Sequence, residues 1–163
     1  MSGRLTRRNL TLLFALLLLN ASLTFRNIWP TPAFWWAGDL SIELAIALGG
    51  LLAATRGGRP APRWLVPTLT IAWVVFVFGR YADVTTPALL GRSINLFWDV
   101  RFAKDVTAMF VKAAPFWGVA LATAGLLVFV WLLGRLLRWA VKRIALAAAA
   151  GGGERRVVAL TAA

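Results

Sequence analysis

Arg80, Tyr81, Asp83, Arg92, Asn95, Trp98 and Asp99 are the residues whose types and spacing are best suited to chemistry in this chain. They fall within residues 79–101, the only long segment between apolar runs that mixes charges, aromatic rings, Pro, Gly and Asn. Two guanidiniums can hold a phosphate through charge-assisted hydrogen bonds. Tyr81 and Trp98 are suited to frame such an anion at a membrane surface, where amphipathic rings settle. Asp83 and Asp99 can hold the arginines in place or meet an amine on a ligand. The same four charges could instead pair with one another and simply fix the loop. Either way, the chemistry is binding rather than bond-breaking.

Catalysis has little to draw on. The chain has no His and no Cys, which removes the commonest general base, the commonest transition-metal ligand and any thiolate or disulfide chemistry. Six acidic residues are spread along 163 positions. Asp39 and Glu43 alone are spaced as a pair, one helical turn apart, so no catalytic residue and no metal site is expected. They serve either as acids favoured at a helix N-terminus or as a pair contacting a cation or an arginine of the central loop.

The elements that must position the 79–101 segment are apolar. Sixty per cent of the chain is hydrophobic and nine residues are Trp, whereas a soluble domain is about 45–50% apolar. The net charge of +12 would suggest nucleic acid in a soluble protein. Here the arginines flank apolar runs and no soluble element carries a basic face with interleaved aromatics, so no nucleic-acid partner is expected. The expected fold is an all-α polytopic membrane bundle, one transmembrane domain over residues 1–163. It has four spans (about 10–25, 38–55, 64–79 and 115–134) and an extracytoplasmic loop with an interfacial amphipathic helix (80–113). A fifth span begins at 157–163.

Details along the chain support that plan. The first apolar run is short for a span, but Arg8 and Asn9 can snorkel to extend it. A cleaved signal peptide shares its basic start and apolar core. The 26–37 segment that follows does not read as the start of a secreted domain, which favours a retained helix. That segment reads as an interfacial connector, with Pro30 and Pro32 preventing helix and Trp29, Phe34, Trp35 and Trp36 as belt aromatics. Ala45, Gly49 and Ala53 form a small-residue stripe that would admit a close neighbour helix. Pro87 and Gly91 are expected breaks in the central loop. After Trp98 the pattern turns amphipathic: Trp98, Phe102, Val106, Met109 and Phe110 share one face, and Arg101, Lys104, Asp105 and Lys112 lie on the other. Residues 135–143 continue the fourth span as a basic amphipathic helix. Twelve basic residues fall on the side holding the N-terminus and six on the side holding the central loop. The positive-inside rule therefore puts the N-terminus in the cytoplasm.

The stretch RYADVTTPALLGRSINLFWDVR, residues 80–101, resembles the membrane-domain loop of sulfatase-like proteins of the alkaline-phosphatase superfamily, the phosphoethanolamine- and phosphoglycerol-transferase types. The resemblance implies a five-helix membrane domain in a bacterial-type inner membrane, ahead of an extracytoplasmic catalytic domain following residue 163. Its partners would be membrane lipids, with a phospholipid headgroup docked by residues 80–99. In that family the catalytic domain carries the nucleophile and the Asp/His ligands of a divalent metal. Residues 1–163 hold no such set, so no catalytic residue carries over and no cofactor belongs to this chain itself. The expected function is anchoring and headgroup docking for a phospho- or sulfo-ester transferase or hydrolase. A small transporter or channel subunit and a non-catalytic membrane scaffold are the alternatives.

Overall fold

The structure, a computed structural model, describes residues 7–28, 31, 33–150 and 153–162. Arg4, Trp29, Pro30, Pro32 and the final residue of the 157–163 run lie outside these. Six helices carry the fold: α1 (Arg7–Ala21), α2 (Ile42–Ala54), α3 (Leu65–Leu90), α4 (Leu96–Ala113), α5 (Phe116–Ala149) and α6 (Gly153–Ala162). The 26–37 connector contains a two-stranded antiparallel hairpin, β1 (Phe25–Asn27) with β2 (Phe34–Trp36), paired Phe25 to Trp36, Arg26 to Trp35 and Asn27 to Phe34. Two helices, α3 and α5, are long and apolar enough to cross a membrane. By length, α1 and α2 reach only about 22 and 20 Å against a hydrocarbon core of about 30 Å.

Local chemistry sets most of the boundaries. Leu12, Ala15, Leu16 and Leu19 recur at helical spacing and are buried along one face of α1. That face packs against α5. The two run antiparallel, since the Arg143 guanidinium reaches the Arg8 carbonyl while the Phe14 ring meets Trp139 at 5.9 Å. Ser41 caps α2 by accepting from the Leu44 amide at 3.2 Å. Asn20 ties the approach down: its Nδ2 donates to the Asp39 carbonyl and its Oδ1 accepts from the Ser41 amide, both at 2.8 Å. Asp39 therefore precedes the helix rather than sharing its first turn with Glu43, because the cap at Ser41 decides where α2 begins.

Two further expectations are corrected. Pro87 does not break the chain. It lies within the last turn of α3, where its missing N–H removes only the bond that would have reached the Asp83 carbonyl. The helix ends at Gly91, left-handed with φ 66°, whose amide donates to the Pro87 carbonyl at 2.9 Å. The basic amphipathic continuation over residues 135–143 lies within α5, and its apolar face is core: Leu137, Ala140 and Val141, with Ile144 just beyond, are buried because α1 and α6 pack against this half of α5. By contrast, most of the apolar half from Phe116 to Leu132 is exposed. The small-residue stripe of α2 is not in the core either. Gly49 faces open space, while Leu44, Leu48 and Leu51 form the buried face.

Trp73 of α3 closes the core, 2% exposed, with its indole Nε1 donating to the Ser22 hydroxyl at 3.0 Å. The helix α6 packs on α2 and α5, and Val158 is fully buried. Arg155 Nη1 donates to the carbonyl of Thr55, just past the C-terminal end of α2. With its first turn there and its length against α2, α6 runs back along that helix. Among the described residues no comparable packed interface involves α4, and apart from Asp99 its described side chains are exposed on both faces.

Candidate functional site

The hairpin end of the bundle carries a layer of charge, and α3 delivers its central member. Arg80 stands two turns beyond Trp73, with its Nε and Nη2 donating to the Phe25 carbonyl at 3.3 and 3.2 Å. Its Nη1 donates to Asp83 at 3.4 Å. The bonds to β1 fix the guanidinium against the hairpin, about one-third exposed. Beside it opens a cavity of about 370 Å³ walled by Glu43, Arg80 and Asp83 with Leu23, Val75 and Phe76. Glu43 is oriented by Ser41, whose hydroxyl donates to Oε2 at 2.6 Å. A second pair, Arg26 of β1 to Asp39 just ahead of α2 at 2.8 Å, lies on the exposed surface. The three charged walls total one negative charge, with both signs present. Asp39 and Glu43 do not act as a pair toward an arginine of the central segment: Asp39 takes Arg26, and Glu43 shares only a cavity wall with Arg80.

Arg92, Asn95, Trp98 and Asp99 form a different unit at the corner between α3 and α4. The Arg92 guanidinium donates to both oxygens of Asp99. Asp99 also accepts from the Asn95 amide at 2.8 Å, and Asn95 Oδ1 caps α4 by accepting from the Trp98 amide at 3.4 Å. The Arg92 hydrogen bonds, then the bond from the Asn95 amide, hold the Asp99 carboxyl below the usual carboxylate range. The same partner raises Arg92. Trp98 stacks edge-on against Phe97 with centroids 5.2 Å apart.

The four charges of the central segment therefore do not gather into one cluster. Arg80 pairs with Asp83 and Arg92 with Asp99. Because α3 continues past Pro87, Arg80 and Gly91 stand roughly 16 Å apart along the helix axis. Two like charges are relieved by separate carboxylates rather than by a shared anion. Tyr81 is not beside Arg80 in space: it turns to the other flank of α3, into a wholly different, apolar cavity.

Sequence reasoning missed the hairpin and the Phe25 carbonyl that receives Arg80. No side-chain signal marks a backbone acceptor more than fifty residues away. It also missed the ionic clamp at the opposite end, where Glu154 Oε1 accepts from Arg143 at 2.7 Å and forms an ion pair with Arg8 at 3.3 Å. The visible hint was a lone acid among the basic residues of that flank. Among the described residues no three metal-ligating side chains come together. Comparisons with protein-family models, curated proteins and solved structures give no match to this chain.

Proposed function

We propose that this chain is a membrane-embedded helical domain that anchors in a bacterial-type inner membrane and docks a phospholipid headgroup at its extracytoplasmic end. The observation that carries the proposal is the Glu43, Arg80 and Asp83 cavity at the end of an apolar bundle. Its mixed charge suits a zwitterionic headgroup: Arg80 offers N–H donors to the phosphate, and Glu43 and Asp83 offer acceptors to an ammonium. Ranged about the same end are the exposed aromatic side chains Phe34, Trp35 and Trp36 of the hairpin, as an interfacial belt requires. The amphipathic α4, unpacked on the bundle, suits a helix lying in the membrane surface with Phe102, Val106 and Phe110 in lipid.

In this scheme α1, α2, α3 and α5 are the four spans, and α6, running back along α2, begins a fifth. The likeness of residues 80–101 to sulfatase-like proteins is the only support for the wider role. That role is the membrane part of a phospho- or sulfo-ester enzyme whose catalytic domain, with any divalent metal, would follow residue 163. The basic asymmetry supports the orientation, with the Arg8, Arg143 and Arg155 end cytoplasmic. A reporter fused after Gly153 is expected to give a cytoplasmic signal and one inserted at Ser93 an extracytoplasmic one. The opposite pair of signals would overturn the orientation.

The headgroup site is tested by the lipids the purified protein retains after delipidation, quantified by mass spectrometry. Retention is expected to favour an amine-bearing phospholipid over one with an uncharged headgroup. Arg80→Ala removes a charge-assisted donor worth about 1.5–3 kcal/mol, so retention is expected to fall roughly tenfold or more. Arg92→Ala, a change at the α3–α4 corner, is expected to leave it unchanged. Equal losses in both variants, tracking the amount of folded protein, would reduce Arg80 to a structural partner of the hairpin.

A further inference from the structure

On the flank of α3 away from the Arg80 cavity lies a second and larger one, about 520 Å³, bounded by α1, the hairpin, α3 and α5 and open on one side. Its walls include Ala21, Phe25, Trp36, Tyr81, Leu126 and Phe129. The two cavities are separate by helix geometry. Phe76, Arg80 and Asp83 follow one another at helical spacing on one side of α3, while Val77 and Tyr81 do so on the other. Three side chains in the lining carry a polar group: Ser22, Trp36 and Tyr81. Ser22 is already engaged, accepting from Trp73 at 3.0 Å and donating to the Leu19 carbonyl at 2.7 Å. That leaves the Tyr81 phenol and the Trp36 indole N–H, both on exposed residues of the lining.

We infer that this cavity binds one hydrocarbon chain of a membrane lipid, in a site distinct from the headgroup cavity. Three observations select that occupant. A volume of this size lies within the roughly 300–1,000 Å³ of small-molecule sites. Apart from the Tyr81 hydroxyl and the Trp36 indole N–H the walls are apolar, so a main chain or a strongly polar ligand would bury unpaired groups at a cost; a hydrocarbon chain has none. Two of the walls belong to α3 and α5, the helices long and apolar enough to cross a membrane, and Leu126 and Phe129 are themselves more than half exposed. The cavity thus communicates with the surface that the membrane assignment puts in lipid, and Tyr81 offers one hydrogen-bonding group for the polar end of the chain. The inference rests on that membrane assignment but not on the headgroup site.

The test uses the purified full chain in detergent with a phospholipid carrying a photoreactive diazirine at the end of one acyl chain, supplied at one per protein. Cross-links are expected on peptides containing Val77, Tyr81, Leu126 and Phe129. Ala21→Trp, which fills the cavity, is expected to reduce them at least fivefold. Leu126→Trp does the same from an exposed position, so it reports even if the α1 substitution prevents folding. Leu127→Trp, on the outer face of α5, is expected to leave them unchanged. Arg80→Ala is expected to lose headgroup selectivity while keeping these cross-links, which separates a failure of one site from a failure of the other. Undiminished cross-linking in a folded Leu126→Trp variant, or cross-links spread evenly over the outer face of α5, would overturn the inference. So would protection of these residues by a second copy of the chain in the absence of lipid.

Discussion

Replacing Glu154 with Ala is expected to destabilise the bundle by about 3–5 kcal/mol, the usual cost of removing one partner from a buried ion pair. Glu154 and Arg143 have side chains only 11% and 14% exposed, and the carboxylate also receives Arg8. Arg143 is held further by donating to the Arg8 carbonyl at 2.6 Å and the Thr11 hydroxyl at 3.1 Å. One carboxylate therefore joins α6 to α5 and α1. Without it, Arg143 keeps those two bonds but loses its counter-charge, and the other cations at this end repel one another with less opposition. Unfolding in mixed micelles, followed by circular dichroism, measures the loss. A double variant, Arg143→Met with Glu154→Leu, is expected to recover most of it, since an apolar pair carries no desolvation cost. If the double variant is as unstable as the single one, the clamp acts through shape rather than charge.

Trp73→Ala is expected to cost about 3–5 kcal/mol, the range for deleting a large aromatic side chain from a packed core. Trp73 is 2% exposed and is the largest of the fully or nearly fully buried side chains. It connects α3 to the turn after α1 through the bond to Ser22, so the variant leaves a void and removes the bond that the Ser22 hydroxyl accepts. Trp73→Phe separates the two effects. It retains most of the ring volume and gives up the indole N–H, which costs about 1 kcal/mol. Thermal unfolding of the two variants in the same detergent is the measurement. Near-equal destabilisation by Phe and Ala would assign the effect to the hydrogen bond, and no effect from either would remove Trp73 from the core.

Much of the helical plan follows from composition and period alone. The runs that became α1, α2, α3 and α5 are dense in Leu, Ala, Val and Phe, and a hydrogen-bonded helix satisfies the backbone groups within each run where so few polar side chains could. The amphipathic α4 is equally legible, since Trp98, Phe102, Val106 and Met109 keep helical spacing whatever lies beside them. The Arg92–Asp99 pair is local too: seven residues and one asparagine cap bring it together.

What the sequence left open were outcomes settled between distant segments. Pro87 reads as a break because its local effect is to remove one hydrogen bond, but a proline in a final turn costs too little to stop a helix already formed. Ser41 starts α2 later than the apolar pattern suggests, and Asn20 supports that start from across the α1 turn. Arg80 could have taken Asp99, an anion or solvent; it takes the Phe25 carbonyl because the hairpin brings that oxygen beside α3. Glu154 finds Arg143 and Arg8 because α1, α5 and α6 meet at one end. Periodicity states which face of a helix is apolar. Which helix covers that face, at what height, and which charges then coincide depend on packing among surfaces that are nearly alike in hydrophobicity, so only the tertiary structure decides them.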